Sequence, residues 1–312
     1  MSKYAFGVDV GGTTVKLGLF DKEGNVLDKW EIPTNKANKG EAILPDIAKS
    51  ILAKMDEKGI KEEDLAGIGL GAPGAVDDNG TLVGGAVNIG WEPFNIPDAI
   101  HAYINVPVKA ANDANAAAFG EMWQGGGKGY DNMVAVTLGT GVGGGIIING
   151  RLLSGATGAG GEIGHIHMED NETEECGCKN KGCLEQYASA TGIVRLARRR
   201  LAEDDKPSVL RGEELSAKAV FDAVKAGDEV AIEIANRFGE YLGKGLAIVA
   251  GVVNPEIFVI GGGVSKAGEI LLGFVEPVFQ KYAFQQCRGA KFALAKLGND
   301  AGIFGAAGLI LR

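Results

Sequence analysis

Cysteine and histidine are scarce in this chain, with four and three copies among 312 residues. Long apolar runs are absent as well: the most apolar stretch, 246–253, is far shorter than the about 20 residues of a membrane-spanning helix. The opening residues, MSKYAFGVDVGG, have neither the apolar core nor the cleavage site of a secretory signal peptide. We therefore expect a cytoplasmic protein without a membrane partner, in which thiols stay reduced and clustered cysteines favour metal binding over disulfides.

Basic residues are also in short supply, because 31 lysines and arginines face 40 aspartates and glutamates, for a formal net charge of −9. This charge opposes nonspecific binding to nucleic acid, so we expect no nucleic-acid partner. Anionic cofactors would then need local sites made of backbone N–H groups or helix ends. Glycine, by contrast, is abundant, and its 50 copies cluster without a period. This pattern favours tight turns and phosphate-binding loops over a fibrous repeat.

Three of the four cysteines and two of the three histidines lie in one segment, GEIGHIHMEDNETEECGCKNKGCLE. Cys176, Cys178 and Cys183 follow His165 and His167 in this segment. Three thiolates and one imidazole form a common tetrahedral ligand set for structural zinc. The spacing is not that of a zinc finger, and either histidine could be the fourth ligand. The sequence therefore predicts a zinc site and leaves the choice of histidine open.

Acidic residues interleave with these candidate metal ligands. Glu162 and Glu185 lie near the two ends of the segment, and their carboxylates can accept hydrogen bonds from hydroxyl groups. A metal-stabilised loop that presents such acceptors suggests a scaffold for a polyhydroxylated ligand. The remaining cysteine, Cys287, lies outside the segment, and we expect it to pack in the core.

Apolar periodicity and turn residues predict alternating strands and helices, which indicates an α/β fold with parallel or mixed sheets. The predicted strands are 4–10, 15–20, 26–32, 65–70, 106–111, 133–138, 144–148, 257–260 and 292–297. The predicted helices are 40–58, 113–123, 187–201, 216–225, 228–251, 266–283 and the segment from 301. The length suggests two domains. We expect a smaller lobe at 1–112 and a larger lobe with the zinc loop at 113–300, with the last helix, about 301–312, packing back onto the smaller one.

A strand, a glycine-rich turn and a second strand open each half of the chain. Backbone N–H groups in such turns can approach anions closely, and threonine hydroxyls can add donors. Neither turn matches G-x-x-x-x-G-K-[ST] or a strand-to-helix G-x-G-x-x-G, which excludes the P-loop and Rossmann motifs. Two turns in equivalent places of two halves can face one polyphosphate. The residues that could contact it are Gly11, Gly12, Thr13, Thr14, Thr140 and Gly141.

Four segments resemble the ROK family and occur in that family's order. They are GVDVGGTTVKLGLFD (7–21), ANDANAAAFGE (111–121), TLGTGVGGGIIING (137–150) and the 161–189 segment with GEIGH, CGCKNKGC and EQYAS. The resemblance covers nearly the whole chain. The family holds bacterial sugar kinases and related repressors of the actin-like ATPase superfamily. The resemblance therefore implies a two-lobed actin-like fold, a duplicated ribonuclease H-like architecture, with a zinc-binding loop.

In function, the resemblance implies an ATP-dependent hexokinase-type phosphotransferase that moves the γ-phosphate of ATP to the 6-hydroxyl of glucose. The alternatives are a kinase for another hexose or for N-acetylmannosamine, and a sugar-responsive repressor. Repressors of the family carry a basic helix-turn-helix before the first strand, whereas here Gly7 and Asp9 of the first motif lie close to the first residue. We therefore expect a kinase, and a homodimer is the family expectation.

The resemblance also implies catalytic and sugar-binding residues. Asp113 corresponds to the general base that accepts the proton of the sugar hydroxyl. An aspartate at a helix start can also be a plain N-cap, and this interpretation of Asp113 stays open. The residues implied for sugar binding are Gly74, Asn88, Asn112, Asp113, Glu162, His165 and Glu185.

For the nucleotide, the resemblance implies that Asp9 holds the magnesium ion of ATP, a cation that needs only one or two carboxylates. The two glycine turns would bind phosphates. A third glycine run matches the region that packs against adenosine, although it can equally be a strand–helix turn without a ligand. Its residues are Gly261, Gly262 and Gly263.

The zinc ligands that the resemblance implies are His165, Cys176, Cys178 and Cys183. His167 is the competing fourth ligand. Zinc would fix the tautomer of His165 and leave its other ring nitrogen as a donor to a sugar hydroxyl. One departure from the family pattern is Lys179, because the family commonly has a glycine directly after the second cysteine. A lysine in a left-handed turn costs about 1 kcal/mol, so we expect altered loop geometry there with the same ligand set.

Overall fold

The computed structural model describes residues 3–212 and 214–312. Its strands are β1 (Tyr4–Val10), β2 (Thr14–Asp21), β3 (Val26–Pro33), β4 (Leu65–Ala72), β5 (Thr81–Leu82), β6 (Phe94–Asn95), β7 (Val108–Asn112), β8 (Met133–Leu138), β9 (Val142–Ile148), β10 (Arg151–Leu152), β11 (Ile257–Gly261) and β12 (Lys291–Leu294). Its helices are α1 (Ala37–Gly40), α2 (Ile43–Lys58), α3 (Ile96–His101), α4 (Asp113–Gln124), α5 (Glu185–Ala188), α6 (Ala190–Glu203), α7 (Ala217–Lys225), α8 (Glu229–Val253), α9 (Ile270–Tyr282) and α10 (Ala301–Leu311). Strands and helices alternate, which confirms the predicted α/β class.

Two five-stranded sheets have the same kind of strand order. The first has the order β3-β2-β1-β4-β7, and the second has the order β10-β9-β8-β11-β12. In the first sheet, β1, β2 and β3 pair antiparallel, whereas β1, β4 and β7 pair parallel. In the second, β9 and β10 pair antiparallel, whereas β8, β11 and β12 pair parallel. The repeated strand–turn–strand pattern in the sequence therefore reflects a repeated sheet topology.

Internal contacts divide the chain into two compact units. Both α4 and α10 belong to the first unit, so the sequence-based boundary at Asn112 falls inside that unit. The first unit comprises Met1–Gly129, Gly145–Gly161 and Lys296–Arg312, and the second comprises Tyr130–Gly144 and Glu162–Ala295.

Glycines allow α4 and α10 to pack at close range within the first unit. A β-carbon at Gly120 would lie 2.8 Å from the backbone nitrogen of Gly305, and one at Gly305 would overlap the carbonyl oxygen of Ala116. Only glycine fits at this crossing without a shift of backbone. The crossing fixes the C-terminal helix beside α4, the helix that begins with Asp113.

The core of the first unit explains why α2 forms where it does. Ile43, Ile47 and Ile51 follow a helical spacing and are fully buried. Leu52, the residue directly after Ile51, is 38% exposed.

In the second unit, α9 packs against the parallel strands and against α8. Phe258 of β11 and Phe279 of α9 pack edge to face, with ring centroids 5.4 Å apart. Helix α9 begins at Ile270, later than predicted, because a 3₁₀ turn and the left-handed Gly268 precede it. Cys287 is buried and its thiol donates to a backbone carbonyl, as expected for a core residue. Among residues 3–212 and 214–312, no helix is both long and apolar enough to cross a membrane.

Candidate active site and metal centre

Asn112 and Asp113 lie at the junction of β7 and α4. The Asn112 side-chain oxygen accepts hydrogen bonds from the backbone N–H groups of Ala114 (3.0 Å) and Asn115 (3.2 Å), so Asn112 is the N-cap of α4. Its amide nitrogen donates to the carbonyl oxygen of Gly74 at 2.9 Å. The cap function that the sequence left open for Asp113 therefore belongs to its neighbour.

The Asp113 carboxylate is held by two local hydrogen bonds. Its Oδ1 accepts from the Ala114 N–H at 2.8 Å and from the Asn112 amide at 3.0 Å. Burial raises the pKa of Asp113 above its ordinary value, although these two hydrogen bonds partly offset the increase. The carboxylate is thus oriented, and it is more basic than an exposed aspartate.

A second partly buried carboxylate, Asp9, lies near the end of β1 in the same unit. Burial, together with the negative charge of Asp113, raises the pKa of Asp9 to about 6, and the positive charge of Lys16 partly offsets the increase. Two partly buried carboxylates whose charges repel are costly without a cation. Magnesium takes oxygen ligands and requires only one or two carboxylates, so these residues fit such an ion.

The two glycine turns follow the first strand of their respective sheets. In the first turn, the Gly11 N–H donates to the Thr14 carbonyl at 3.0 Å, and the Thr34 hydroxyl donates to the Gly11 carbonyl at 2.7 Å. Thr13 is exposed at the tip of this turn. The turn is therefore fixed by its own hydrogen bonds and presents a hydroxyl group to solvent.

The second turn has an equivalent arrangement in the second unit. The Gly139 N–H donates to the Gly141 carbonyl at 3.0 Å, and the Thr191 hydroxyl donates to the Thr140 carbonyl at 2.7 Å. Thr140 is exposed, like Thr13 in the first turn. The third glycine run begins with Gly261, the last residue of β11, and its second residue, Gly262, is left-handed (φ 83°).

Four side chains of the cysteine–histidine segment converge. The ligand atoms of His165, Cys176, Cys178 and Cys183 all lie within 4.8 Å of one another. The Sγ atoms of Cys178 and Cys183 are 3.6 Å apart, as are the Cys176 Sγ and the His165 Nδ1. Zinc–sulfur bonds of about 2.3 Å in a tetrahedron place sulfur atoms about 3.8 Å apart. The donor set and its spacing therefore fit zinc.

His167 is engaged elsewhere. One ring nitrogen lies 3.0 Å from the Lys181 carbonyl oxygen and the other lies 2.8 Å from the Asp170 carboxylate. The cluster thus contains His165 rather than His167. Lys179 adopts the left-handed conformation expected of it, with φ 72°, and its N–H donates to the Cys176 carbonyl at 2.9 Å.

Two carboxylates flank the His165 ring. Glu185 Oε1 lies 3.8 Å from Nδ1 and also accepts from the Cys176 thiol at 2.8 Å. Glu162 Oε2 lies 3.9 Å from Nε2, and its side chain is 66% exposed. A metal on Nδ1 would leave Nε2 beside an exposed carboxylate, where both groups can meet hydroxyl groups. Asn88, the remaining sugar candidate, is exposed in the first unit.

A buried ionic cluster lies next to the cysteines, and no sequence pattern predicts it. Glu172 is fully buried and lies 2.6 Å from Arg195 and 3.1 Å from Arg199, both on α6. Burial opposes ionisation of Glu172, but backbone N–H groups, the Tyr187 hydroxyl and the two arginines hold its pKa at about 2. In the sequence, Glu172 is one of several acidic residues in this loop, and nothing distinguishes it from the others. The cluster ties the segment before Cys176 to α6.

The chain is similar to one protein family over nearly its whole length. The model of the ROK family matches residues 5–312. A glucokinase of Halalkalibacterium halodurans is 44% identical over 313 residues, which cover 99% of this chain and 95% of that protein. A glucokinase of Thermotoga maritima is 38% identical, over 97% of this chain and 96% of that protein.

Solved structures agree with these relatives. A ROK family glucokinase from Streptomyces griseus, in complex with glucose and AMPPNP, is 34% identical with a TM-score of 0.71, over 98% of each chain. A ROK hexokinase from Thermus thermophilus is 31% identical with a TM-score of 0.80, over 97% of this chain and 96% of that one.

Proposed function

This chain belongs to the ROK family, and we propose that it is an ATP-dependent glucokinase, which transfers the γ-phosphate of ATP to the 6-hydroxyl of glucose. The observation that carries the proposal is the Asn112–Asp113 pair. Asn112 caps α4, which leaves the neighbouring carboxylate oriented and available for chemistry. Full-length similarity to two glucokinases supports glucose as the acceptor.

Asp113 acts as the general base. Phosphoryl transfer has a loose transition state, in which the acceptor hydroxyl loses its proton late, so a well-placed aspartate is sufficient. The hydrogen bonds from Ala114 and Asn112 to Oδ1 leave Oδ2 to accept the proton of the 6-hydroxyl. Exclusion of water from the site would suppress hydrolysis of ATP.

Several polar groups of the chain are proposed to bind glucose hydroxyls. Asn112 and the Gly74 backbone are joined by a hydrogen bond, and Asn88 is exposed in the same unit. The His165 Nε2 is proposed to donate to a hydroxyl, and the carboxylates of Glu162 and Glu185 are proposed to accept. Carboxylate–hydroxyl hydrogen bonds are directional, which is how a hexose is told from its epimers.

The nucleotide is held by backbone and hydroxyl donors. When bound, magnesium neutralises phosphate charge, and Asp9 would hold it. The residues proposed to contact ATP are Gly11, Gly12, Thr13, Thr14, Thr140, Gly141, Gly261, Gly262 and Gly263. These donors are neutral backbone N–H and hydroxyl groups, which can bind phosphate oxygens without a lysine.

Zinc is proposed to be structural. His165, Cys176, Cys178 and Cys183 would hold it, and the ion would fix the orientation of the His165 ring. We also propose a cytoplasmic location. Zinc-binding cysteines must be reduced thiolates, and the cytoplasm keeps thiols reduced.

A homodimer is also proposed. Ile248 and Val252 are exposed on one face of α8, at 48% and 80%, and the exposed rings of Tyr282 and Phe284 lie at and just beyond the end of α9. These four residues belong to the second unit, where α8 and α9 are neighbours. A second copy of the chain would remove this apolar surface from water.

A coupled assay tests the activity. We expect phosphorylation of glucose with ATP to exceed that of mannose, fructose and N-acetylmannosamine, and ATP to exceed polyphosphate as donor. Asp113→Asn should lower kcat by about 10²- to 10⁴-fold while glucose still binds. Asp98→Asn, an aspartate in the first turn of α3, is the matched control and should be fully active. Near-normal turnover of Asp113→Asn would contradict its role as base, and preference for another sugar would favour the alternative kinases.

A further inference from the structure

We propose that Gly302, in the C-terminal helix, sets the position of the Asp9 carboxylate and is a positioning residue of the magnesium–nucleotide site. The inference rests on the function proposed above, in which Asp9 holds the magnesium of ATP. Gly302 lies in the first turn of α10, and Asp9 lies near the end of β1. Both residues belong to the first unit.

The evidence is the space that the Asp9 side chain occupies. A β-carbon at position 302 would lie 2.5 Å from both Cγ and Oδ2 of Asp9, and 3.0 Å from its Cβ. Non-bonded carbon atoms pack best at about 3.5–4.0 Å. The carboxylate therefore fills the volume that any side chain at position 302 would need, so only glycine leaves Asp9 where it is.

Other glycines in α10 or packed against it differ from Gly302 in the atoms that an added β-carbon would meet. A β-carbon at Gly7 would meet the backbone of Ile303, and one at Gly305 would meet the backbone of Ala116. Backbone cannot move aside cheaply, so those glycines serve packing. At Gly302 all three nearest atoms belong to the one side chain of Asp9, which can rotate. A larger residue there would leave the fold intact and displace the carboxylate.

The surroundings show why the start of α10 is suited to this role. Asp9 pairs directly with Lys16 across β1 and β2, so both side chains lie on one face of the sheet. The Lys16 ammonium donates to the carbonyl oxygen of Asn299, just before α10, at 2.9 Å. The N-terminal end of a helix also favours a nearby negative charge. The start of α10, the Lys16 side chain and the Asp9 carboxylate therefore lie close together.

Gly302→Ala tests the inference. We expect kcat to fall at least tenfold and the magnesium concentration for half-maximal activity to rise, with the glucose Kd and the Tm close to wild type. Gly273→Ala is the control, because it introduces the same methyl group into α9 with no atom within 4 Å. It should leave both kcat and the magnesium dependence unchanged. A wild-type magnesium response of Gly302→Ala would overturn the inference.

A double-mutant cycle then tests whether Gly302 acts through Asp9. We expect Asp9→Ala and Asp9→Ala/Gly302→Ala to have the same residual kcat, because the displaced group is already gone. A further loss in the double variant, by the factor seen in the single variant, would mean that Gly302 acts elsewhere and would overturn the inference. Full activity of Asp9→Ala would overturn the proposed role of Asp9 and the inference together. An inactive Asp9→Ala beside a wild-type Gly302→Ala would overturn the inference alone.

Discussion

The hydroxyl of Tyr187 donates a 2.5 Å hydrogen bond to the buried carboxylate of Glu172. The Tyr187 ring also stacks on Tyr241, with centroids 4.0 Å apart. Glu172 precedes the cysteine loop, whereas Tyr187 and Tyr241 lie on α5 and α8. The pair therefore anchors the start of the proposed zinc loop to the helices of the second unit.

Glu172→Gln should lower the free energy of unfolding at pH 7 by about 3 kcal/mol, the equivalent of a pKa held near 2 rather than its ordinary 4.5. Because the folded-state pKa is the lower one, this stabilisation is present above pH 4.5 and is lost as the pH falls toward 2. The difference between wild type and variant should shrink accordingly in denaturant titrations at pH 7, 4 and 3. Glu175→Gln, at an exposed position of the same loop, is the control and should change little. A constant difference across this pH range would contradict the prediction.

The purified protein should contain about one zinc ion per chain by elemental analysis, as a closed four-ligand site binds one. Cys176→Ser should lose the metal and melt at a lower temperature. Cys287→Ser is the matched control, because that thiol donates to the Ala250 carbonyl and lies outside the cluster. A fully active, zinc-free protein would show that the assignment is wrong.

Elemental analysis of zinc should also distinguish the roles of His165 and His167. His165→Asn should lose zinc, since its Nδ1 lies 3.6 Å from the Cys176 sulfur. His167→Asn should retain it, since its ring nitrogens face Lys181 and Asp170. Loss of zinc in the second variant alone would reverse the ligand assignment.

Glu162→Gln should raise the glucose Kd by about tenfold or more, because a hydrogen bond to a charged group contributes about 1.5–3 kcal/mol. The ATP Kd should stay within a factor of two or so, since the carboxylate is proposed to contact sugar only. Calorimetric titrations with each ligand measure both constants. Glu63→Gln, an exposed glutamate whose carboxyl contacts Lys61, is the control. The opposite pattern, with ATP binding weakened more than glucose binding, would remove Glu162 from the sugar site.

Gly305→Ala should destabilise the protein by at least about 3 kcal/mol, the upper end of the cost of overpacking, because the added methyl group overlaps backbone. Gly251→Ala places the same group on α8 with no atom within 4 Å and should be neutral or slightly stabilising. Thermal unfolding followed by circular dichroism compares the two. A wild-type Tm for Gly305→Ala would show that α4 and α10 can separate without cost.

Long, strongly patterned elements were predictable from the sequence. The bounds of β1 and β8 agree with prediction because each is an apolar run that ends at a glycine turn. Short elements such as β5 and α3 went unrecognised, since two to six residues hold no full apolar period. The single helix predicted at 187–201 is two helices, because the Ser189 side chain caps α6 and interrupts the backbone there.

The residues of the candidate site also divide into those that the sequence could predict and those that it could not. Cys176 and its partners could be grouped because they lie close together in the sequence, and closeness in sequence limits the possible geometries. The choice between Asn112 and Asp113 as helix cap depends on side-chain rotation, which no residue pattern encodes. The contact of Gly302 with Asp9 joins opposite ends of the chain, and a glycine in a helix rich in alanine and glycine carries no signal of it.

Helix α10 packs against β1 and β4, although most of the sequence separates it from both strands. During synthesis on the ribosome, the strands of the first unit leave the exit tunnel while the helix that shields them does not yet exist. Domains generally fold in order as they emerge, but the first unit must wait until residues 301–311 have been synthesised. The nascent chain therefore carries an uncovered apolar sheet face through most of its synthesis, and we expect its yield to depend on chaperones that bind such surfaces.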